Sequence, residues 1–134
     1  MPGVQNNGIL ARRVLTMSIN YFPELDARMQ EGFMAKLVAL REQVGFPMPV
    51  TSGYRSPEDN AAISSTGTNG PHTTGRAVDI SISGENAYKL IAAALAAGFT
   101  GIGIKQHGPL VGRYVHLDDL TSPEYPRPRI WTYK

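Results

Sequence analysis

Three side chains able to ligate a metal sit far apart along the chain: His72 in the loop GTNGPHTTG, Asp79 in RAVDISIS and His116 in RYVHLD. The last two runs alternate as strands do. In the first, Val78, Ile80 and Ile82 fall on one face and Ala77, Asp79, Ser81 and Ser83 on the other; in the second, Val115 and Leu117 oppose Tyr114, His116 and Asp118. If these strands pair as antiparallel neighbours, facing Cβ atoms lie about 5 Å apart, so Asp79 and His116 could share one ion. The slack before Arg76 lets His72 fold back as a third ligand. Two imidazoles, one carboxylate and an open position make the donor set of a catalytic zinc. Zinc acidifies its water to a pKa of about 7 and polarises a carbonyl, so an amide can be hydrolysed without a covalent nucleophile. The plainer reading is that the chain's three histidines are incidental surface or hydrogen-bonded groups, and spacing alone does not choose. Likewise Arg55 fits a salt bridge or a solvated side chain, and Asp119 a solvated charge at a strand end.

The elements that must position these groups are legible in outline. In residues 23–44, Leu25, Met29, Phe33, Leu37, Leu40 and Val44 recur three or four apart, with Pro23 in the first turn and Gly45 just past the end, which predicts a helix with a core-facing stripe. VTSGYR reads as a strand delivering Arg55 to a loop. Ser56 followed by Pro57, Glu58 and Asp59 reads as the N-cap and acidic first turn of a short helix ending near Ile63. Gly67, Gly70, Pro71 and Gly75 make residues 64–75 a loop. GENAYKLIAAALAAG predicts a second helix that stops at Gly98. TGIGIK predicts a strand with Ile102 and Ile104 inward, and RIWTY in the proline-rich tail an edge strand. The expected architecture is α+β: one domain over residues 1–134, with a small, mainly antiparallel sheet packed against helices.

Bulk properties narrow the chemistry. A chain of 134 residues supports one core. The sequence has no cysteine, so disulfides, thiolate zinc sites and thiol nucleophiles are excluded and any metal must be held by histidine and carboxylate. Thirteen Lys and Arg against eleven Asp and Glu give +2, too little to specify an anionic partner. The opening MPGVQNNGILARRVLTMSIN lacks a continuous apolar core after a basic start, so no secretory signal is expected from it, and no run approaches the roughly 20 apolar residues of a membrane span.

Taken together, SGYRS at residues 52–56, the H-x-x-G-x-A-x-D run from His72 to Asp79, and YVHLD at 114–118 resemble the M15 group of zinc peptidases. These are D-alanyl-D-alanine carboxypeptidases and L-alanyl-D-glutamate endopeptidases of the phage-endolysin type. GFTGIGI and the late RP…W are similar to small members that consist of the catalytic domain alone, and the resemblance covers about residues 30 to 131. It implies a hedgehog/DD-peptidase-like fold, Zn²⁺ held by His72, Asp79 and His116, and Arg55 on a substrate carboxylate or the polarised carbonyl oxygen. The loop 64–75 would be a wall of the groove. One position departs: many members carry Glu or Asp three residues before the last histidine as general base, and here Arg113 stands there, which cannot accept a proton. Asp118, on the same strand face as His116, is one replacement, or else a partner holding a ligand in place. His107, in the turn after GIGIK, is the other, as base or oxyanion donor.

The implied function is hydrolysis of the peptide stem of peptidoglycan by a monomer that does not insert into a membrane. A phage lysin released from the host cytoplasm, or a virion-borne enzyme, would suit it. Arg113 keeps open a rival, a degenerate cell-wall-binding module of the same fold. A nucleic-acid role through Arg127, Arg129, Trp131 and Lys134 is disfavoured by the small net charge.

Overall fold

The computed structural model describes residues 2–134, with side chains from Gly8 onward. Its elements run α1 (Pro2–Tyr21), α2 (Glu31–Val44), β1 (Val50–Ser52), α3 (Pro57–Ile63), β2 (Ala77–Ser81), α4 (Gly84–Ala96), β3 (Gly101–Lys105), β4 (Tyr114–Asp118) and β5 (Arg129–Thr132). Short 3-10 turns at Gly67–Asn69, Pro71–Thr74 and Leu110–Gly112 interrupt the loops. The strands form one sheet in the order β1-β2-β4-β3-β5. Every neighbouring pair is antiparallel except β3 and β5, which run parallel. The α+β expectation holds.

The period-2 pattern divides the sheet as expected. Val78, Ile80, Val115, Leu117 and Ile102 are fully or almost fully buried and join Phe33, Leu37 and Leu90 in one core beneath the helices. Burying each such side chain is worth about 1.5–3 kcal/mol, so this face holds the sheet to the helices. The opposite face carries Asp79 and His116.

Two corrections concern the first third of the chain. The predicted helix 23–44 begins only at Glu31. Asp26 accepts from the backbone N of its neighbour Arg28 at 2.9 Å, a local turn that competes with helix. The amide of Gln30 is then spent on the carbonyl of Gly75 at 2.9 Å, tying the helix entrance to the loop that carries His72. Leu25 and Met29 still pack against the core, which is why the helical spacing continues past the true start. The second correction is α1 itself, a helix in a stretch given no element from the sequence. Val14, Met17 and Tyr21, spaced three and four apart, pack on the core, while Ile9, Leu10, Leu15 and Ile19 are exposed.

Two glycines of β3 let the tail approach the sheet. A Cβ on Gly103 would lie 2.6 Å from the Tyr133 hydroxyl and 2.7 Å from Trp131 Nε1, and one on Gly101 would collide with the Asp118 carboxylate. Their bare backbone is the floor on which the last strand and the buried aspartate rest.

Candidate metal centre

The β2–β4 register sets Asp79 directly opposite His116. His72 arrives from the turn Pro71–Thr74, which is held by Thr73 and Thr74 hydroxyls on the carbonyls of Gly70 and Pro71 at 2.7 and 2.6 Å. Further fastening comes from Arg55 N, which donates to the His72 carbonyl at 3.1 Å. All three functional side chains are buried, and one ligand atom from each lies within 4.8 Å of the others.

The hydrogen bonds on the far side of each ring decide what faces inward. His72 Nδ1 is 2.8 Å from the Gly53 carbonyl, which can only accept, so that nitrogen carries the proton and Nε2 presents its lone pair. His116 Nε2 is 2.7 Å from Asp118 Oδ2, and that carboxylate is held ionised by Arg127 through bonds of 2.9 and 2.7 Å. His116 Nε2 therefore donates, leaving Nδ1 as the acceptor. His72 Nε2 and His116 Nδ1 lie 3.3 and 3.1 Å from the same oxygen, Asp79 Oδ1. With neutral rings, three lone pairs thus converge with no proton between them, which is unfavourable unless a cation sits there. The donor set of two nitrogens and one oxygen fits zinc, and the outward partners are those that orient ligands.

The electrostatics favour positive charge at the cluster, as a proton or as a metal ion. Burial alone would raise the Asp79 carboxyl, but the bonds to His116 and His72 overrule it and hold it well below the carboxylate range. Burial disfavours charge on His116, while Asp118 and Asp79 outweigh that and raise its pKa. Asp118 is held down to about 2, burial again being overcome by His116 and Arg127.

The cluster lies on the wall of an open cavity of about 740 Å³. One side is the 64–72 loop, folded on Asn60, whose side chain reaches Thr66 at 2.9 Å and the Gly67 carbonyl. The other is the C-terminal segment, where Trp131 packs against His116 with centroids 5.0 Å apart. Arg55 lines the cavity, with Nε and Nη1 on Ser52 and Asn60 at 3.0 Å each and Nη2 3.6 Å from Asp79. Asp118 is fully buried behind His116, in the place of the ligand-holding partner. His107 is exposed, sits 3.0 Å from the Tyr133 carbonyl and does not line the cavity. Arg113 is turned to the Gly108 carbonyl at 2.9 Å.

The Peptidase M15 family model matches residues 9–118, a span that holds the whole cluster. The chain belongs to the peptidase M15 family. Peptide-bond hydrolysis is therefore its class of activity. No curated protein and no solved structure matches the chain. The M15 match ends at Asp118, so Glu124, Arg127, Arg129 and Trp131, which all line the same cavity, come from beyond it. That Arg127 and Glu124 line this cavity was missed in the sequence; the signal available for this wall was the alternation Arg129, Trp131, Tyr133 in a tail otherwise dominated by proline.

Proposed function

We propose that this M15 domain is a zinc metallopeptidase that hydrolyses an amide bond in the peptide stem of bacterial peptidoglycan. The observation that carries the reading is the convergence of His72 Nε2, Asp79 Oδ1 and His116 Nδ1, with both rings anchored from behind, on the wall of a cavity open to a peptide. Bound there, zinc supplies an acidified water and polarises the carbonyl to be attacked. Arg55 neutralises the second oxygen of Asp79 and faces the cavity, placed for a substrate carboxylate or carbonyl oxygen. Asp118 fixes the His116 tautomer. The proton acceptor we assign is Glu124, the one carboxylate on the cavity wall outside the cluster among the described residues. In this reading it supplies the acid that position 113 lacks.

That same lack favours the second reading, a wall-binding module that no longer cleaves. One experiment separates them: incubate the zinc-loaded protein with purified peptidoglycan and measure newly released amino groups. Hydrolysis that vanishes with chelator and in His116→Ala, and falls about 10²-fold or more in Glu124→Gln with zinc content intact, supports the enzyme and its base. Binding to the wall without any new amine sinks the enzyme reading; full activity in Glu124→Gln sinks the assignment of the base alone.

A further inference from the structure

Two arginines lie near the Trp131 ring in different states. The Arg127 guanidinium is 5.1 Å from the indole, but it is almost fully buried and bound to Asp118. The Arg129 guanidinium is 5.4 Å from the same ring, lines the cavity, is exposed, and has no carboxylate partner among the described residues. Its orientation is not left to chance. Parallel pairing sets Gly101 beside Arg129 and Gly103 beside Trp131, so alternation puts Arg129 and Trp131 on one face of β5. The Arg129 amide is fastened to the Thr100 carbonyl at 2.8 Å. An indole face beneath a guanidinium limits its motion and leaves its donor edge free for a planar anion.

Distance sets what that anion is. Steps of 5.0 Å from the His116 ring to Trp131 and 5.4 Å onward to Arg129 keep the cation close to the metal cluster. They therefore put the guanidinium no more than about 10 Å from the His116 ring, the reach of at most about three extended residues. Resting on the peptidase reading above, we propose that Arg129, laid on Trp131, is a second anion-binding point that takes a free carboxylate of the stem peptide two or three residues from the cleaved bond. The site is a specificity determinant for acidic stem peptides: Arg55 serves the reacting end, and Arg129 measures off a carboxylate farther along. Of the three cavity-lining arginines, Arg55 lies against Asp79 and Arg127 is bound to Asp118, so Arg129 is the cation left for an anionic peptide among the described residues.

The test uses a matched pair of stem tetrapeptides, one with a free glutamate carboxylate and one with the corresponding carboxamide, against the full-length chain. Charge-assisted bidentate binding predicts that the acid is preferred by about tenfold or more in kcat/KM. Arg129→Gln should bring that ratio close to one through KM, and Arg129→Lys should restore part of it, because a point charge replaces a fork. Calorimetric binding of both peptides to zinc-loaded and metal-free protein supplies a readout independent of turnover. A wild-type chain that cleaves neither peptide counts against the peptidase reading, and the binding arm then still decides the subsite. Equal affinity for acid and amide, or a preference that survives Arg129→Gln, overturns the proposal.

Discussion

The pair of Asp118 and Arg127 explains how a buried imidazole can be committed to one tautomer. Asp118 has no exposure, and its oxygens accept from His116 Nε2, both reachable nitrogens of Arg127 and, at 3.3 Å, the Leu120 amide. A carboxylate so placed would be costly if unpaired, and Arg127 is what keeps it charged. In Asp118→Asn the carboxamide can turn its NH₂ toward His116, moving the ring proton to Nδ1, the nitrogen that must face the ion. The expected result is a 10–100-fold loss of zinc affinity, of the order seen when such outer partners are removed, with the fold retained. Competition against a chelator of known affinity measures it, and wild-type affinity in the variant would mean that Asp118 does not set the tautomer.

At the scale of elements, the site is a product of strand register and of two missing side chains. Asp79 faces His116 because β2 and β4 pair in that register, and a slip of one strand by one residue would send its ligand to the core face. On an open strand, replacing Gly by Ala gains about 0.5–1 kcal/mol of backbone entropy. At Gly101 the new methyl meets the Asp118 carboxylate, held in place by its partners, so the sign reverses. Gly101→Ala is expected to lose about 1–3 kcal/mol, as overpacking does. Gly32→Ala, in α2, where the nearest atom is Nη2 of Arg76 at 3.7 Å, an ordinary van der Waals distance, should be neutral or gain up to about 1 kcal/mol. Urea unfolding of the two variants compares them directly, and equal effects would refute the role given to Gly101. These particulars also show what a sequence can display. Alternation in RAVDISIS and RYVHLD made the cluster readable, and the cap at Ser56 was borne out by its bond to Asp59 N at 3.1 Å. The entry of α2 was not readable, because a local Asx turn replaces helix there while the helical spacing runs on; α1, whose Val14, Met17 and Tyr21 do keep helical spacing, was overlooked. Nor could spacing reveal that the tail runs parallel to β3 and brings Arg127 to Asp118, since that pairing depends on chain reversal between distant segments.

For the whole molecule, the residue that joins the layers is Asp119, which the sequence suggested was a solvated charge and the structure buries. Its carboxylate is 2 % exposed and bonds to Arg76 at 2.8 and 2.6 Å and to Lys36 at 2.9 Å, linking the end of β4 to α2 and to the segment between the His72 loop and β2. Its burial follows from the chain turning inward at Leu120, whose carbonyl accepts from Thr100 Oγ1 at 2.5 Å. Burial alone would raise the Asp119 carboxyl, but Arg76 and Lys36 lower it below the usual carboxylate range. A group depressed on folding contributes stability that is complete above its unfolded pKa, about 3.9, and that is lost as pH falls through the folded value. Asp26 is also lowered, to about 2 by Arg28, but both partners are more than half exposed, so screening leaves that pair little weight. Asp119→Asn should therefore destabilise the protein by about 2 kcal/mol or more at pH 7, in line with hydrogen bonds to charged groups. The gap between variant and wild type should narrow as pH is lowered from 5 toward 2, because acid removes from the wild type the same charge that the substitution removes. Chemical denaturation across that range, in chelator so that metal affinity plays no part, checks the sign. A gap that stays constant with pH would show that Asp119 acts through packing and not through its charge.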